Sequence, residues 1–80
     1  MENIIVMCPT VDRANYEFRE FLHNHDQYIE DFQLRKIKLK NDKYIFFKGE
    51  TEGQQAILGL RGDIIWIGDF LELDKEEYLI

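Results

Sequence analysis

Cysteine, proline and long apolar runs are scarce in this sequence of 80 residues. Its single cysteine cannot form an internal disulfide, which excludes the disulfide-stapled secreted modules. No apolar run approaches the roughly 18–20 residues that span a bilayer, and the start, Met1-Glu2-Asn3, lacks the basic residues of a signal peptide. We therefore expect one domain over residues 1–80, located in the cytoplasm and not in a membrane.

Basic residues are also in the minority, with 10 lysines and arginines against 16 acidic residues and a net charge of −6. The segment from Tyr28 to Lys48 nevertheless carries six basic and three acidic residues, whereas residues 49–80 carry two basic and eight acidic ones. Non-specific binding to nucleic-acid phosphates scales with clustered cations, so the net charge argues against it. We interpret the lysines as the solvent face of a hairpin and the acidic end as solubilising, with contact to a basic partner surface as the alternative.

The apolar residues that are present predict an α/β domain with a small sheet. Two continuous apolar runs, Ile4–Cys8 and Ile64–Ile67, favour two central strands, over residues 3–8 and 63–68, that form a parallel pair. Between them, a 3.6-residue period predicts a packed helix over residues 11–24, with Thr10 as its N-cap. Strict alternation from Lys36 to Lys40, a two-residue turn at Asn41-Asp42 and a returning segment from Lys43 to Lys48 predict a β-hairpin over residues 34–48. We further expect Thr51 to cap a helical turn over residues 54–58, Asp74 to cap a terminal turn, and Trp66 to lie in the core.

The order of these pieces resembles the ATPase core of viral large terminase subunits and related helicase-like NTPases. The resemblance rests on three segments: Ile4-Ile5-Val6-Met7-Cys8-Pro9-Thr10, Ile37-Lys38-Leu39-Lys40-Asn41-Asp42-Lys43-Tyr44-Ile45-Phe46-Phe47, and Gly59-Leu60-Arg61-Gly62-Asp63 before Ile64-Ile65-Trp66-Ile67. It implies a phage-encoded protein, acting in the host cytoplasm, that is built on part of an NTPase scaffold.

The parts that perform catalysis in that family are missing from this sequence. There is no Gly-x-x-x-x-Gly-Lys-Ser/Thr loop, whose backbone amides cradle phosphates. Gly68 and Asp69 stand where the family's Walker B strand ends in Asp-Glu, so the metal-organising carboxylate is absent. The resemblance therefore implies a non-catalytic protein without cofactor or metal, and the ends at Met1 and Ile80 favour a separate small protein over a fragment of a split enzyme.

Other reactive residues have ordinary structural interpretations. His23 and His25 are two residues apart near a helix end, a poor geometry for binding one metal ion. Cys8 follows a buried strand, and we expect it to be a small apolar core residue and not a nucleophile. Asp12, Asp63 and Asp69 lie near strand ends, where magnesium is an option but cap and turn roles are favoured.

The aromatic residues, 14% of the sequence, are too many for the core of so short a chain. In Ile45-Phe46-Phe47 at least one ring must face away from the others, and exposed aromatics beside charge are typical of protein interfaces. We therefore predict a protein that binds a protein partner, such as a nucleic-acid NTPase, or a copy of itself. The predicted partner-binding residues are Tyr44, Phe46, Phe70, Glu72 and Tyr78.

Two alternatives remain open at this point. One is a subunit of a split NTPase that is active only beside a chain carrying the phosphate loop. The other is a small nucleic-acid-binding protein that uses the basic hairpin, with Lys36, Lys38, Lys40 and Lys43 contacting phosphates. A stacking role for Trp66 in such a protein requires that its ring be exposed.

Overall fold

The computed structural model describes residues 3–52 and 62–79, apart from the side chains of Glu52 and Glu77. These residues form five strands and three α-helices, an α/β fold as predicted. In chain order the elements are β1 (Asn3–Cys8), α1 (Val11–Asn24), β2 (Ile29–Gln33), β3 (Lys36–Leu39), β4 (Tyr44–Gly49), β5 (Asp63–Trp66), α2 (Ile67–Glu72) and α3 (Lys75–Leu79), with short 3-10 turns at Asp26–Tyr28 and Glu50–Glu52.

The strands form one mixed sheet in the order β2-β3-β4-β1-β5. β1 pairs in parallel with both β4 and β5, which confirms the predicted parallel pair. β3 and β4 pair antiparallel, which confirms the hairpin. β1 therefore has a strand on each side, as its continuous run from Ile4 to Cys8 indicated.

Helix α1 has the predicted bounds because both of its ends are specified locally. The Thr10 hydroxyl accepts a hydrogen bond from the Arg13 N–H at 3.1 Å, and the His25 N–H donates to the Phe21 carbonyl at 3.0 Å. One side of α1 and one face of the sheet then form the core, together with residues of α2 and α3. The core residues are Ile4, Val6, Cys8, Ala14, Phe18, Phe21, Ile37, Leu39, Ile45, Phe47, Ile67, Phe70 and Leu79.

The second predicted strand is shorter than expected and lies at an edge of the sheet. β5 ends at Trp66, and Ile67 and Gly68 already belong to α2. Among the described residues β5 pairs with β1 alone, so the prediction that this strand is central was wrong. Trp66 is 50% exposed, so its predicted place in the core was also wrong.

The hairpin turn also differs from the prediction. The Leu39 N–H donates to the Lys43 carbonyl, and the Asp42 N–H donates to the Leu39 carbonyl. These hydrogen bonds leave three residues, 40–42, in the loop, in place of the predicted two-residue Asn41-Asp42 turn. The third loop residue, Asp42, has a left-handed backbone conformation with a φ of 68°.

β2 was not predicted; it pairs with β3, with a β-bulge between Ile29 and Asp31. The cap predicted at Asp74 is confirmed, because its Oδ1 accepts a hydrogen bond from the Glu76 N–H at 3.2 Å. The helical turn predicted over residues 54–58 lies outside the described residues. Among the described helices, none is long and apolar enough to cross a membrane.

Candidate functional site on the outer face of the sheet

Alternate residues of the strands point away from the core and form the second face of the sheet, which we call the outer face. Residues opposite each other in neighbouring strands share a face, so the register maps this surface. One row runs Trp66, Met7, Lys48, and the next runs Ile64, Ile5, Phe46, Lys36, Gln33. A third row runs Asn3, Tyr44, Lys38, Asp31.

The outer face is apolar towards β5 and basic towards the hairpin. Ile64 is 57% and Trp66 50% exposed, whereas Ile5 between them and the hairpin is fully buried. Met7 and Phe46 are half-buried. An apolar and aromatic band therefore crosses β5, β1 and β4 and ends at lysine side chains.

The hairpin end of the outer face is organised by Lys36. The rings of Tyr44 and Phe46 stack with centroids 6.2 Å apart and an interplanar angle of 25°. The Lys36 Nζ lies 5.2 Å from the centroid of the Tyr44 ring and 5.7 Å from that of Phe46, within the range of a cation–π interaction. Each such contact favours one arrangement of these half-buried side chains, so the cluster is partly ordered before any partner binds.

Lys38 lies beside this cluster and has an acidic neighbour. Its Nζ is 3.3 Å from the Glu30 Oε2, and this hydrogen bond raises the pKa of Lys38. A groove of about 120 Å³ is lined by Lys36, Lys38 and Tyr44 together with Asp31, Phe32 and Gln33 of β2. The basic character of the hairpin is thus partly compensated at the sheet edge.

The five predicted partner-binding residues do not form one surface. Tyr44 and Phe46 lie together on the outer face. Phe70 is 3% exposed and packs against Phe21 and Phe47 in the core, so the prediction that its ring is at the surface was wrong. Glu72 is exposed at the end of α2.

Tyr78 connects α3 to the hairpin. Its hydroxyl donates to the Tyr44 carbonyl at 2.9 Å, and its own carbonyl accepts from the Asn41 Nδ2 at 2.9 Å. The Lys43 Nζ lies 4.9 Å from the centroid of the Tyr78 ring. Of the four predicted phosphate-binding lysines, Lys36 and Lys38 are therefore neighbours on the outer face, Lys43 faces α3, and Lys40 is exposed on the turn.

The reactive side chains on the face of the sheet that α1 covers have structural roles. Cys8 is fully buried, as predicted, and burial followed by the nearby Glu17 carboxylate raises its pKa to about 11. A thiol with that pKa is protonated at neutral pH and is a poor nucleophile. Glu17 itself is 7% exposed and accepts a hydrogen bond from the Arg13 Nε at 2.8 Å.

The two histidines have different surroundings. His23 is exposed in the last turn of α1, whereas the His25 ring stacks on Phe21 with centroids 4.5 Å apart. Burial, with a smaller effect of Lys75, lowers the pKa of His25. Among the residues that the structure describes, no group of three or more His, Cys, Asp or Glu side chains is placed to hold a metal ion.

Comparison of the chain with family models, with curated proteins and with solved structures found no match. The resemblance to terminase ATPase cores therefore stays a prediction. Sequence reasoning missed Ile64 and Trp66 as site residues because a continuous apolar run does not reveal whether a strand has one neighbour or two.

Proposed function

We propose that this protein is a non-catalytic binding protein whose outer face docks onto a protein partner. The observation that carries the proposal is the exposure of Trp66 and Ile64 in register with Met7, Ile5 and Phe46. Aromatic residues and methionine are enriched at protein interfaces, where tryptophan and tyrosine supply much of the binding energy. The lysines at the hairpin end provide a polar rim.

Site-directed photo-crosslinking tests where the partner docks. A photoreactive amino acid in place of Lys48, half-buried on the outer face, is expected to form a discrete adduct with the partner in cells. The same group in place of Arg19, exposed on α1, is the control and is expected to give none. Adducts from position 19 alone would contradict the outer face as the docking surface.

Binding of the crosslinked partner, once purified, then measures the energetic role of the aromatic band. Phe46→Ser and Trp66→Ser are each expected to weaken the affinity by about 30-fold or more, the effect of removing an interface hot spot. Tyr16→Ser is a matched control, because Tyr16 is a 57% exposed aromatic residue on α1. Equal effects of the three substitutions would contradict the proposal, as would ATP hydrolysis by the purified chain.

Nucleic-acid binding is a second candidate, favoured by the cluster of Lys36, Tyr44 and Phe46 and by the exposed ring of Trp66. Aromatic rings on a sheet face stack with unpaired bases, and lysines beside them neutralise phosphates. Titration with a single-stranded oligonucleotide distinguishes the two candidates. An affinity that falls steeply with salt and is reduced by Lys36→Gln would favour nucleic acid over protein as the partner.

A further inference from the structure

The two edges of the sheet differ in how well they are protected against pairing with another strand. At the β2 edge, Glu30 and Asp31 are exposed and a β-bulge interrupts the ladder. Charges and bulges are the devices by which natural sheets prevent edge pairing. Within β5, by contrast, the one charged residue is Asp63 at its start, and Ile64, Ile65 and Trp66 follow it without another charge.

β5 has one ladder partner among the described residues, and the second side of its backbone faces away from that partner. β5 pairs with β1 from Ile4↔Asp63 to Met7↔Trp66, and no other described strand pairs with it. In an extended strand, alternate N–H and C=O groups point to the side away from the existing partner. A strand added there would contact Ile64 and Trp66 on the outer face, about 7 Å apart, and Ile65 on the other.

The charges around β5 determine which strand suits this edge. Asp63 begins β5, and Asp69 lies three residues beyond its end, both exposed. The described basic residue nearest in sequence after β5 is Lys75, whose Nζ donates to the Leu71 carbonyl at 3.4 Å and lies 4.9 Å from the centroid of the Phe70 ring. Among the described residues, the charged side chain nearest in sequence to each end of β5 is therefore acidic.

A second copy of this chain fits the edge poorly. An antiparallel twofold pair of β5 strands would bring the carboxylates that flank one strand towards those that flank the other, and like charges at close range repel. A segment with alternating apolar residues between basic residues complements both the apolar strand and its acidic ends.

We propose that β5 receives an extended segment of a partner protein by strand addition, and that this segment has alternating apolar residues flanked by lysine or arginine. Backbone hydrogen bonds to the β5 edge would supply affinity, and contacts with Ile64, Trp66 and the flanking aspartates would supply specificity. This inference rests on the proposed docking function and specifies the partner's chemistry and its mode of binding.

NMR titration with two synthetic peptides tests strand addition. One peptide alternates valine and threonine between terminal lysines, and the other has glutamates in place of the lysines. We expect the amide shifts of Ile64, Ile65 and Trp66 to respond most, and the lysine peptide to bind about fivefold or more tightly, as two surface ion pairs would produce. Equal affinity for both peptides, or shifts centred on β2, would overturn the inference.

Charge reversal checks the role of the aspartates without disturbing the core. The double variant Asp63→Lys with Asp69→Lys is expected to reverse the peptide preference, while Tyr16→Ser leaves it unchanged. Self-association of the wild-type chain that Trp66→Ser abolishes would identify a second copy as the occupant and overturn the inference. If neither peptide binds but crosslinking from position 48 persists, strand addition is wrong while docking on the outer face stands.

Discussion

At the scale of single residues, Gly49 is a point of close approach between β4 and the start of α1. A Cβ at this position would lie 2.5 Å from the Val11 backbone N and 2.7 Å from the Thr10 carbonyl carbon, and neither backbone atom can move away alone. We expect Gly49→Ala to lower the free energy of unfolding by about 2–3 kcal/mol through this overpacking. Urea denaturation followed by circular dichroism measures the loss.

Gly68 provides the matched control for Gly49. It lies in α2, and a Cβ there would meet nothing within 4 Å. Alanine has the higher helix propensity, so Gly68→Ala is expected to leave stability unchanged or raise it by up to about 1 kcal/mol. A loss at position 68 as large as that at position 49 would contradict the close-approach explanation.

Neighbouring aromatic residues show what can be read from the sequence at this scale and what cannot. The prediction that Phe46 and Phe47 face opposite ways is confirmed, because side chains alternate along a strand and Phe47 is buried while Phe46 lies on the outer face. Phe70 was placed at the surface in error. Its burial depends on how α2 packs against Phe21 and Phe47, which are distant in sequence.

At the scale of elements, α1 depends on its N-cap. Thr10→Ala removes the oxygen that accepts the Arg13 N–H, and we expect the free energy of unfolding to fall by about 1 kcal/mol. Thr10→Ser keeps that oxygen and is expected to retain most of the stability. Thermal or urea unfolding of the three proteins checks this, and an equal loss for serine and alanine would show that the hydroxyl does not act as the cap.

Elements with strong local signals were predicted well, and those determined by their neighbours were not. β1 and α1 were predicted with their observed bounds because an apolar run, a cap and a 3.6-residue period lie within each segment. β2 contains Glu30 and Asp31, which are rare in strands, and it exists through pairing with β3. The edge position of β5, and with it the outer-face band, depends on sheet order, which no local pattern encodes.

At the scale of the whole molecule, the uneven charge of the sequence becomes an uneven charge across the sheet. The basic segment forms β2, β3 and β4 on one side of β1, while β5 lies on the other side and continues into the acidic α2 and α3. The outer face therefore runs from the lysines of the hairpin to an edge strand that begins at Asp63 and is followed in sequence by Asp69. A partner that docks along this face in one orientation would need a surface of complementary charge. That surface would be acidic where it meets the hairpin and basic where it meets β5.

The stability of the whole chain should also depend on the protonation of His25. Burial lowers its pKa below the unfolded value of 6.5, an effect that Lys75 supports and the hydrogen bond to the Phe21 carbonyl opposes. The unfolded chain therefore binds this proton more readily than the folded chain. It follows that His25 contributes to stability above pH 6.5, and that this contribution is lost as the pH falls from 6.5 towards the folded pKa.

Variants of the two histidines isolate this effect from the titration of the carboxylates. We expect the free energy of unfolding of the wild type to fall between about pH 7.5 and pH 5.5, and His25→Gln to show a smaller fall over that range. His23→Gln should follow the wild type, because His23 is exposed and does not stack on the core. A parallel loss of stability in His25→Gln and the wild type would contradict this prediction. It would mean that the groove lined by His25, Glu17, Glu20 and Lys75 stabilises the protonated ring as well as the neutral ring.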